Sequence, residues 1–503
     1  MFRILQNDVS LPTKSSFGMA QPSQAGMPSS PPHAEGRFEQ LADWVFLRKF
    51  RGDYLLIRSF PFNVLGILAE EVDSVRDFFA GRGTLSEELM EALRVAHMLD
   101  MDPGKVNRQF NSHISAILLV TTACNLACSH CFASGGDYGM GKAHMTREVI
   151  DGTIEYLVRQ TAKLYEEEGF LGEADLGIHF FGGEPFIAYD QMRYAVEAGE
   201  QAAHNLSQTV GRRVRPDFFV TTNATLLNPE RIAFLKRHEF TVLVSIDGPD
   251  HDERRRYISG KGSLAKAIAA FRALREAQVT IRLNTVIRDS DVPNIREVLE
   301  WFQQEVYSNE PSASIYHTFS FEREGPAGTV GSCANAYTPT ELDKYVGELK
   351  NFDASGYQLY EVALRNKMAS GGTFYKCSSG VKRIAISPNG SVYRCQGFID
   401  TKLEMGSILD PQFDHRQSAV SQCMSGRNIA TLLPCRNCAF SALCPHNVDC
   451  AARAHYSLGG LGEIDVNGMC RVGFDLMDTI LFESELLPGF SASSRKSSGK
   501  KEQ

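Results

Sequence analysis

From Ile114 to about residue 330 the chain repeats one pattern, a short apolar run rich in β-branched residues followed by a longer amphipathic stretch. No other feature restricts its fold so strongly. The apolar runs lie at 114–122, 176–181, 217–222, 241–246, 279–287 and 312–319. Between them apolar residues recur at helical spacing, as over 146–167, where Ile150, Ile154, Leu157 and Val158 share a face. Repeated βα units imply a parallel sheet, because strands can run the same way only if a crossover returns the chain between them. Right-handed crossovers curl six such strands toward a barrel. The pattern therefore predicts an α/β fold containing a partial (β/α)6 barrel, with function at the C-terminal strand ends.

The residues at those ends are unusual. The first strand runs into Thr121-Thr122-Ala123-Cys124-Asn125-Leu126-Ala127-Cys128-Ser129-His130-Cys131, the second into Phe181-Gly182-Gly183-Glu184-Pro185, the third into Thr221-Thr222-Asn223-Ala224-Thr225, and the fourth into Ser245-Ile246-Asp247-Gly248-Pro249. Polar and glycine-rich ends on one rim mark a pocket for a polar ligand. Cys124, Cys128 and Cys131 stand at C-x3-C-x2-C spacing. Three thiolates can hold three irons of a [4Fe–4S] cluster and leave the fourth open to a ligand that is not protein. Zinc is the other reading, although a structural zinc closes with four ligands and this loop brings three. Spacing alone also leaves coincidence open.

Composition narrows the rest. A chain of 503 residues, 43% hydrophobic, can bury several cores and is long enough for two to four domains. It has no run of 18 apolar residues and no charged segment leading into an apolar one at its start, which predicts a soluble cytoplasmic protein without a membrane partner. The net charge is −8, and there is no large basic block apart from the short Arg495 to Lys501, so nucleic acid is not an expected partner. Twelve cysteines in such a chain favour metal or redox use over disulfides. Cys333 and Cys423 fall outside recognisable spacings and read as ordinary buried thiols.

Residues 1–35 are rich in Ser, Pro, Gly and Gln and read as disordered. Trp44 to Arg48 and Tyr54 to Arg58 flank Arg51-Gly52-Asp53 as a β-hairpin. Two or three helices follow, the last with Thr84 and Glu87 in capping-box register and Leu85, Leu89 and Leu93 on one face. After a bridging region at 331–376, with helical segments near 339–350 and 357–369, a second cysteine set begins. It comprises Cys377, Cys395 preceded by Gly390, Cys435, Cys438, Cys444, Cys450 and Cys470, for which a zinc ribbon is the plain alternative. Residues 489–503 read as a solvated tail.

Taken together, the cysteine triplet, Gly182-Gly183-Glu184-Pro185 and Ser245-Ile246-Asp247-Gly248 resemble the radical S-adenosylmethionine (SAM) superfamily across the barrel at 111–330. The resemblance implies that the amine and carboxylate of SAM bind the open iron. It assigns Gly182, Gly183 and Glu184 to the amine, Ser245 and Asn223 to the same rim, and Arg255 to an anionic group, with Arg254, Arg256 and Arg282 as competitors. His130 occupies a position that is often aromatic in the family and approaches adenine. The later cysteines, at 377–488, are similar to the SPASM extension with two auxiliary [4Fe–4S] clusters. By that analogy Cys377, Cys395 and Cys450 ligate the first, and Cys435, Cys438, Cys444 and Cys470 the second. The Cys444 to Cys450 gap is five residues where the family usually has three, and the first set lacks a fourth cysteine, so one iron is expected to be open or closed by another donor. Residues 36–110 resemble the small winged-helix-like PqqD domain, which binds a leader peptide as an added strand. The alternative there is a cap that only packs on its neighbour.

The implied chemistry is cleavage of SAM to a 5′-deoxyadenosyl radical that abstracts hydrogen from an unactivated carbon, with an electron donor such as ferredoxin or flavodoxin. Three readings follow. A ribosomally made precursor peptide, held through its leader, is cross-linked, oxidised or epimerised. Alternatively, the chain matures sulfatases; but those enzymes carry an Asp base directly after the cysteine equivalent to Cys395, and here Gln396 takes that place and cannot accept a proton near neutral pH. Finally, an iron–sulfur electron carrier or redox sensor would explain the clusters but not the Gly182 to Pro185 strand end.

Overall fold

The computed structural model describes residues 36–99 except 51, 61 and 97; 113–308 except 167–169; 316–321; 348; 379–444 except 381, 401–402, 419–420 and 422–431; and 470, 474–475, 477–478 and 481. The expectations for 1–35, for the bridging helices, for Cys333, Cys377, Cys423 and Cys450, and for the tail lie outside these residues.

Four antiparallel strands open the described chain in the order β1 (Glu39–Ala42), β2 (Val45–Phe50), β3 (Asp53–Ser59) and β4 (Phe62–Ile67). The expected hairpin is β2–β3, with Phe50 opposite Asp53 and Gly52 at φ 95°, a conformation glycine adopts without strain. Helices α1 (Val72–Phe79) and α2 (Glu87–Val95) follow. Side chains alternate across the sheet, so each face is filled separately. Val45, Leu47 and Leu56 pack with Val75, Leu89 and Leu93 of the two helices. Phe46, Leu55 and Ile57 turn the other way, onto Ala439, Phe440 and Leu443. The α2 cap differs from expectation: Ser86, not Thr84, accepts the Leu89 N–H, at 3.2 Å. A cap serves the N–H groups of the second or third helical residue, and α2 begins at Glu87, too far along the chain for Thr84.

The six predicted barrel strands are β5 (His113–Thr121), β6 (Ala174–Gly182), β7 (Val214–Thr222), β8 (Thr241–Ser245), β9 (Thr280–Ile287) and β10 (Tyr316–Phe321). They run parallel and neighbour one another in sequence order. Helices α3 (Arg147–Glu166), α4 (Tyr189–Val210), α5 (Pro229–Arg237), α6 (Leu264–Glu276) and α7 (Ile295–Trp301) make the crossovers. One face of the sheet, with Leu118, Phe180, Val220 and Val244, packs against helix residues such as Ile150, Leu157 and Phe271. Each such side chain contributes about 1.5–3 kcal/mol by leaving water. Helix ends are marked in the sequence: α4 stops at Gly211, at φ 65°, and α5 starts at Pro229 behind Asn228, whose side chain accepts the Arg231 N–H.

The outer edge of β5 is taken by β11 (Arg383–Ile386), which pairs parallel to it with Ile384 opposite Ala116; β12 (Ser391–Tyr393) and β13 (Gly406–Ser407) continue antiparallel. Among the described residues the six parallel strands therefore form an open arc, since β11 stands where β10 would close the ring. Ile117 and Leu119, on the face of β5 away from the helices, pack with Ala385, Tyr393 and Phe398. Among the described residues no helix is long and apolar enough to cross a membrane.

Candidate functional site

The loop after β5 is fastened by the ends of the neighbouring strands. From β6, Gly183 N–H donates to the Thr121 carbonyl and Glu184 N–H to the Ala123 carbonyl, both at 2.9 Å. This approach admits no side chain. A Cβ on Gly182, which sits at φ 136°, would meet Thr121 O at 2.0 Å, and one on Gly183 would meet Ala123 O at 2.2 Å. From β7, Asn223 Nδ2 donates to Asn125 Oδ1 at 3.0 Å, while Asn125 Nδ2 donates to Thr225 Oγ1 at 2.8 Å. Beyond β8, Ala127 and Ser129 N–H groups donate to the carbonyls of Arg256 and Arg254, at 2.7 and 3.0 Å.

Backbone N–H groups point at two of the three sulfurs, Leu126 N at Cys124 Sγ (3.5 Å) and Gly135 N at Cys131 Sγ (3.3 Å), and Arg255 donates toward Cys128. Such donors favour a thiolate. Without a metal, burial pushes the Cys124 thiol up to about 12 and that of Cys128 to about 11. A donor set of this kind fits the cationic iron–sulfide core of a cluster, whose binding displaces the protons. Among the described residues no three His, Cys, Asp or Glu side chains converge as on a single metal ion. A cubane spreads its thiolates over separate corners and does not require such convergence.

The Glu184 carboxylate lies beneath the rim, wholly buried. It accepts from Thr222 Oγ1 at 2.8 Å, Asn223 N at 2.9 Å and Phe186 N at 3.2 Å, so its side chain joins β6 to β7. Burial raises its pKa to about 7 against the pull of these donors. Ser245 ends β8 opposite Asn284 and is almost fully buried.

Asp247, two residues past β8, organises the other side. It takes both Arg255 Nε (2.6 Å) and Arg255 Nη2 (3.0 Å), and also the Val286 N–H at 3.0 Å. Burial opposes its ionisation, but Arg255 outweighs this and, with His130 and Arg254, holds the carboxyl well below its usual range. His130 Nε2 stands 3.3 Å from Asp247 Oδ2, so the ring faces inward, and burial followed by the Arg255 charge lowers its pKa to about 3. The four candidate arginines separate: Arg255 pairs with Asp247; Arg254 reaches Asp291 Oδ2 at 3.4 Å and the Val286 carbonyl at 2.7 Å; Arg256 donates to the Asp252 carbonyl; Arg282 lies over the Phe219 ring on the opposite face of the sheet from the helices.

That second face also carries His179, whose Nε2 is 2.9 Å from Thr221 Oγ1, and Ser320, which donates to Asn284 Oδ1 at 2.7 Å. In the second cysteine set, Cys395 is buried and its sulfur accepts the Gly397 N–H at 3.3 Å; Cys435 and Cys438 are buried, and Cys444 and Cys470 half-buried. Cys124, Cys128 and Cys131 form no disulfide and stand as thiols. Sequence reasoning had Asp247 within its motif but gave it no role, and it missed Asn125, which no spacing rule singles out.

Known proteins resemble this chain across the barrel. Residues 118–302 match the model of the radical SAM superfamily. The radical SAM cyclopropyl synthase TigE of Paramaledivibacter caminithermalis is 23% identical over 303 residues, which span 58% of this chain and 60% of that relative's length. A cysteine-type anaerobic sulfatase-maturating enzyme of Clostridium novyi is 21% identical over 64% of this chain and 83% of its own. Native anSMEcpe with bound AdoMet and Cp18Cys peptide superposes with a TM-score of 0.54 at 16% identity, covering 72% of this chain and 95% of that one, and so shares the fold.

Proposed function

Because the chain carries a radical SAM superfamily domain over residues 118–302, we propose that it modifies a carbon of a ribosomally made peptide by radical chemistry, through cross-linking, oxidation or epimerisation. The observation that carries this reading is the cysteine loop, fastened by three strand ends with N–H groups directed at two of its sulfurs. Cys124, Cys128 and Cys131 would hold the cluster, with SAM on its open iron near Gly182, Gly183, Asn223, Ser245 and Arg255. When bound, that pair supplies a 5′-deoxyadenosyl radical able to take hydrogen from an unactivated carbon. The chain's own part is to hold the loop, to exclude water and to present the substrate. His179, Thr221, Asn284 and Ser320, on the sheet face away from the helices, offer a polar lining for a peptide.

A peptide substrate is supported by the peptide bound in the anSMEcpe structure. Auxiliary [4Fe–4S] clusters on Cys377, Cys395 and Cys450, and on Cys435, Cys438, Cys444 and Cys470, would accept the substrate's electron, with ferredoxin or flavodoxin as external donor. The sheet β1–β4 has both faces covered, so a leader would have to join at an edge. Sulfatase maturation is the second reading, favoured by the likeness to the Clostridium novyi enzyme and opposed by Gln396.

The test is anaerobic reconstitution with iron, sulfide, reductant and SAM. We expect 5′-deoxyadenosine, and a mass change in a precursor peptide encoded beside this chain. Formylglycine in a sulfatase-derived cysteine peptide would establish the second reading instead. Absence of 5′-deoxyadenosine would leave an electron carrier.

A further inference from the structure

Arg394 is the least answered charge among the described residues. It has no exposed surface, and Nε, Nη1 and Nη2 all lack a hydrogen-bond partner. Other buried arginines are met: Arg255 by Asp247, Arg254 by Asp291 and the Val286 carbonyl. A guanidinium cannot escape burial by losing its proton, and an unpaired buried charge is among the costliest features a fold can carry. The ring of Phe398, 4.9 Å from the guanidinium carbon, gives only a weak cation–π contact in return. Something anionic is needed to complete the site.

The side chain's position indicates which anion. On one side is Gly380, three residues after Cys377; a Cβ there would come within 3.0 Å of Arg394 Cγ and 3.2 Å of Nε. On the other is Phe398, three residues after Cys395. Cys395 itself follows Arg394 in the chain and is buried, with its sulfur accepting the Gly397 N–H. The unanswered guanidinium thus lies between Gly380 and the turn that follows Cys395.

We propose that Arg394 is the resident counter-cation of the iron–sulfur cluster held by Cys395, an inference that rests on the auxiliary-cluster reading above. A thiolate-held cubane is anionic and becomes more so on reduction. A fixed positive charge and N–H donors beside it stabilise the reduced form more, which raises its potential. Arg394 would thereby make this cluster the better acceptor of an electron leaving the substrate. A substrate carboxylate is the competing source of negative charge at the same site.

The test uses full-length protein, reconstituted anaerobically, as wild type, Arg394→Met and Arg394→Lys, with each cluster titrated by electron paramagnetic resonance. In Arg394→Met we expect one auxiliary cluster to become at least tenfold harder to reduce, 59 mV for a one-electron couple, while Arg394→Lys restores most of the shift and the cluster on Cys124, Cys128 and Cys131 is unmoved. In cluster-free protein the effect reverses, and Arg394→Met melts above wild type because an unpaired charge is gone. Arg394→Gln serves the titration if the Met variant takes up less iron. An unchanged potential at full iron content overturns the proposal. So does a shift seen only with peptide present, which assigns the guanidinium to a substrate carboxylate. If Cys395→Ala retains wild-type iron and sulfide, the cluster reading itself fails, whatever Arg394 does.

Discussion

Two buried carboxylates near the cysteine loop differ in what surrounds them, and the difference predicts opposite behaviour. For Glu184 burial outweighs three neutral donors and the weaker pull of the Arg231 charge, and its pKa rises to about 7. A group raised on folding contributes stability that is complete below its unfolded value, near 4.5, and is lost as pH climbs through 7. Between pH 5 and 8 the cluster-free wild type should therefore lose roughly 3 kcal/mol relative to Glu184→Gln, which does not titrate. Denaturant unfolding of both proteins across that range checks it, and parallel curves would refute it. Asp247 instead meets the fork of Arg255 and stays ionised. Asp247→Asn keeps the shape but leaves that guanidinium unanswered, and is expected to cost about 3–5 kcal/mol, read as a lower unfolding midpoint at every pH from 5 to 8.

At the scale of elements, what could be read in advance depended on length and on where the partner lay. Strands β5 to β10 are joined to one another by helices with strong periodicity, and their expected and observed limits differ by a few residues. Strands β11 to β13 have two to four residues each, too few to show a period, and β11 is defined by pairing with β5, more than 250 residues earlier. Strand β4 was hidden for another reason: Asn63 and Gly66 interrupt its alternation, and Asn63 Oδ1 accepts the Val64 N–H that a further strand would otherwise use. In the site, residue types at strand ends were readable, whereas the pairing of Asp247 with Arg255 and His130 depends on where the loop past β8 folds back. The glycines of β6 are a test at this scale. Gly182→Ala and Gly183→Ala each force a methyl onto the cysteine-loop backbone, so both should fold the rest of the barrel yet bind less iron than wild type. Full iron content in either would show that the strand end can withdraw. For α2, Ser86→Ala should cost about 1 kcal/mol and Thr84→Ala close to nothing, measured by thermal unfolding.

For the whole molecule, the decisive contact is between units far apart in sequence. The face of β2–β4 that bears Phe46, Leu55, Ile57, Phe62 and Val64 packs on the segment containing Cys438 and on Phe474, Met477 and Leu481. Trp44 and Phe60 pack with Cys435 and Ala442. Charges rim the apolar contact, with Arg48 paired to Asp478, Arg37 to Asp475 at 2.8 Å, and Arg436 to Asp43 at 2.5 Å. The exposed Arg436–Asp43 pair contributes little stability, whereas Arg48 and Asp478 are largely buried; the apolar face supplies the larger share of the attachment. Leu56 and Ile57 separate this attachment from the sheet's own stability. Both are fully buried neighbours on β3, but Leu56 faces α1 and α2 while Ile57 faces the cysteine segment. Leu56→Ala and Ile57→Ala should each destabilise by about 2–5 kcal/mol. Only Ile57→Ala should speed amide hydrogen exchange over residues 438–444, because only it opens a cavity against them. Equal exchange in the two variants would mean that residues 438–444 keep their order without the apolar face of the N-terminal sheet.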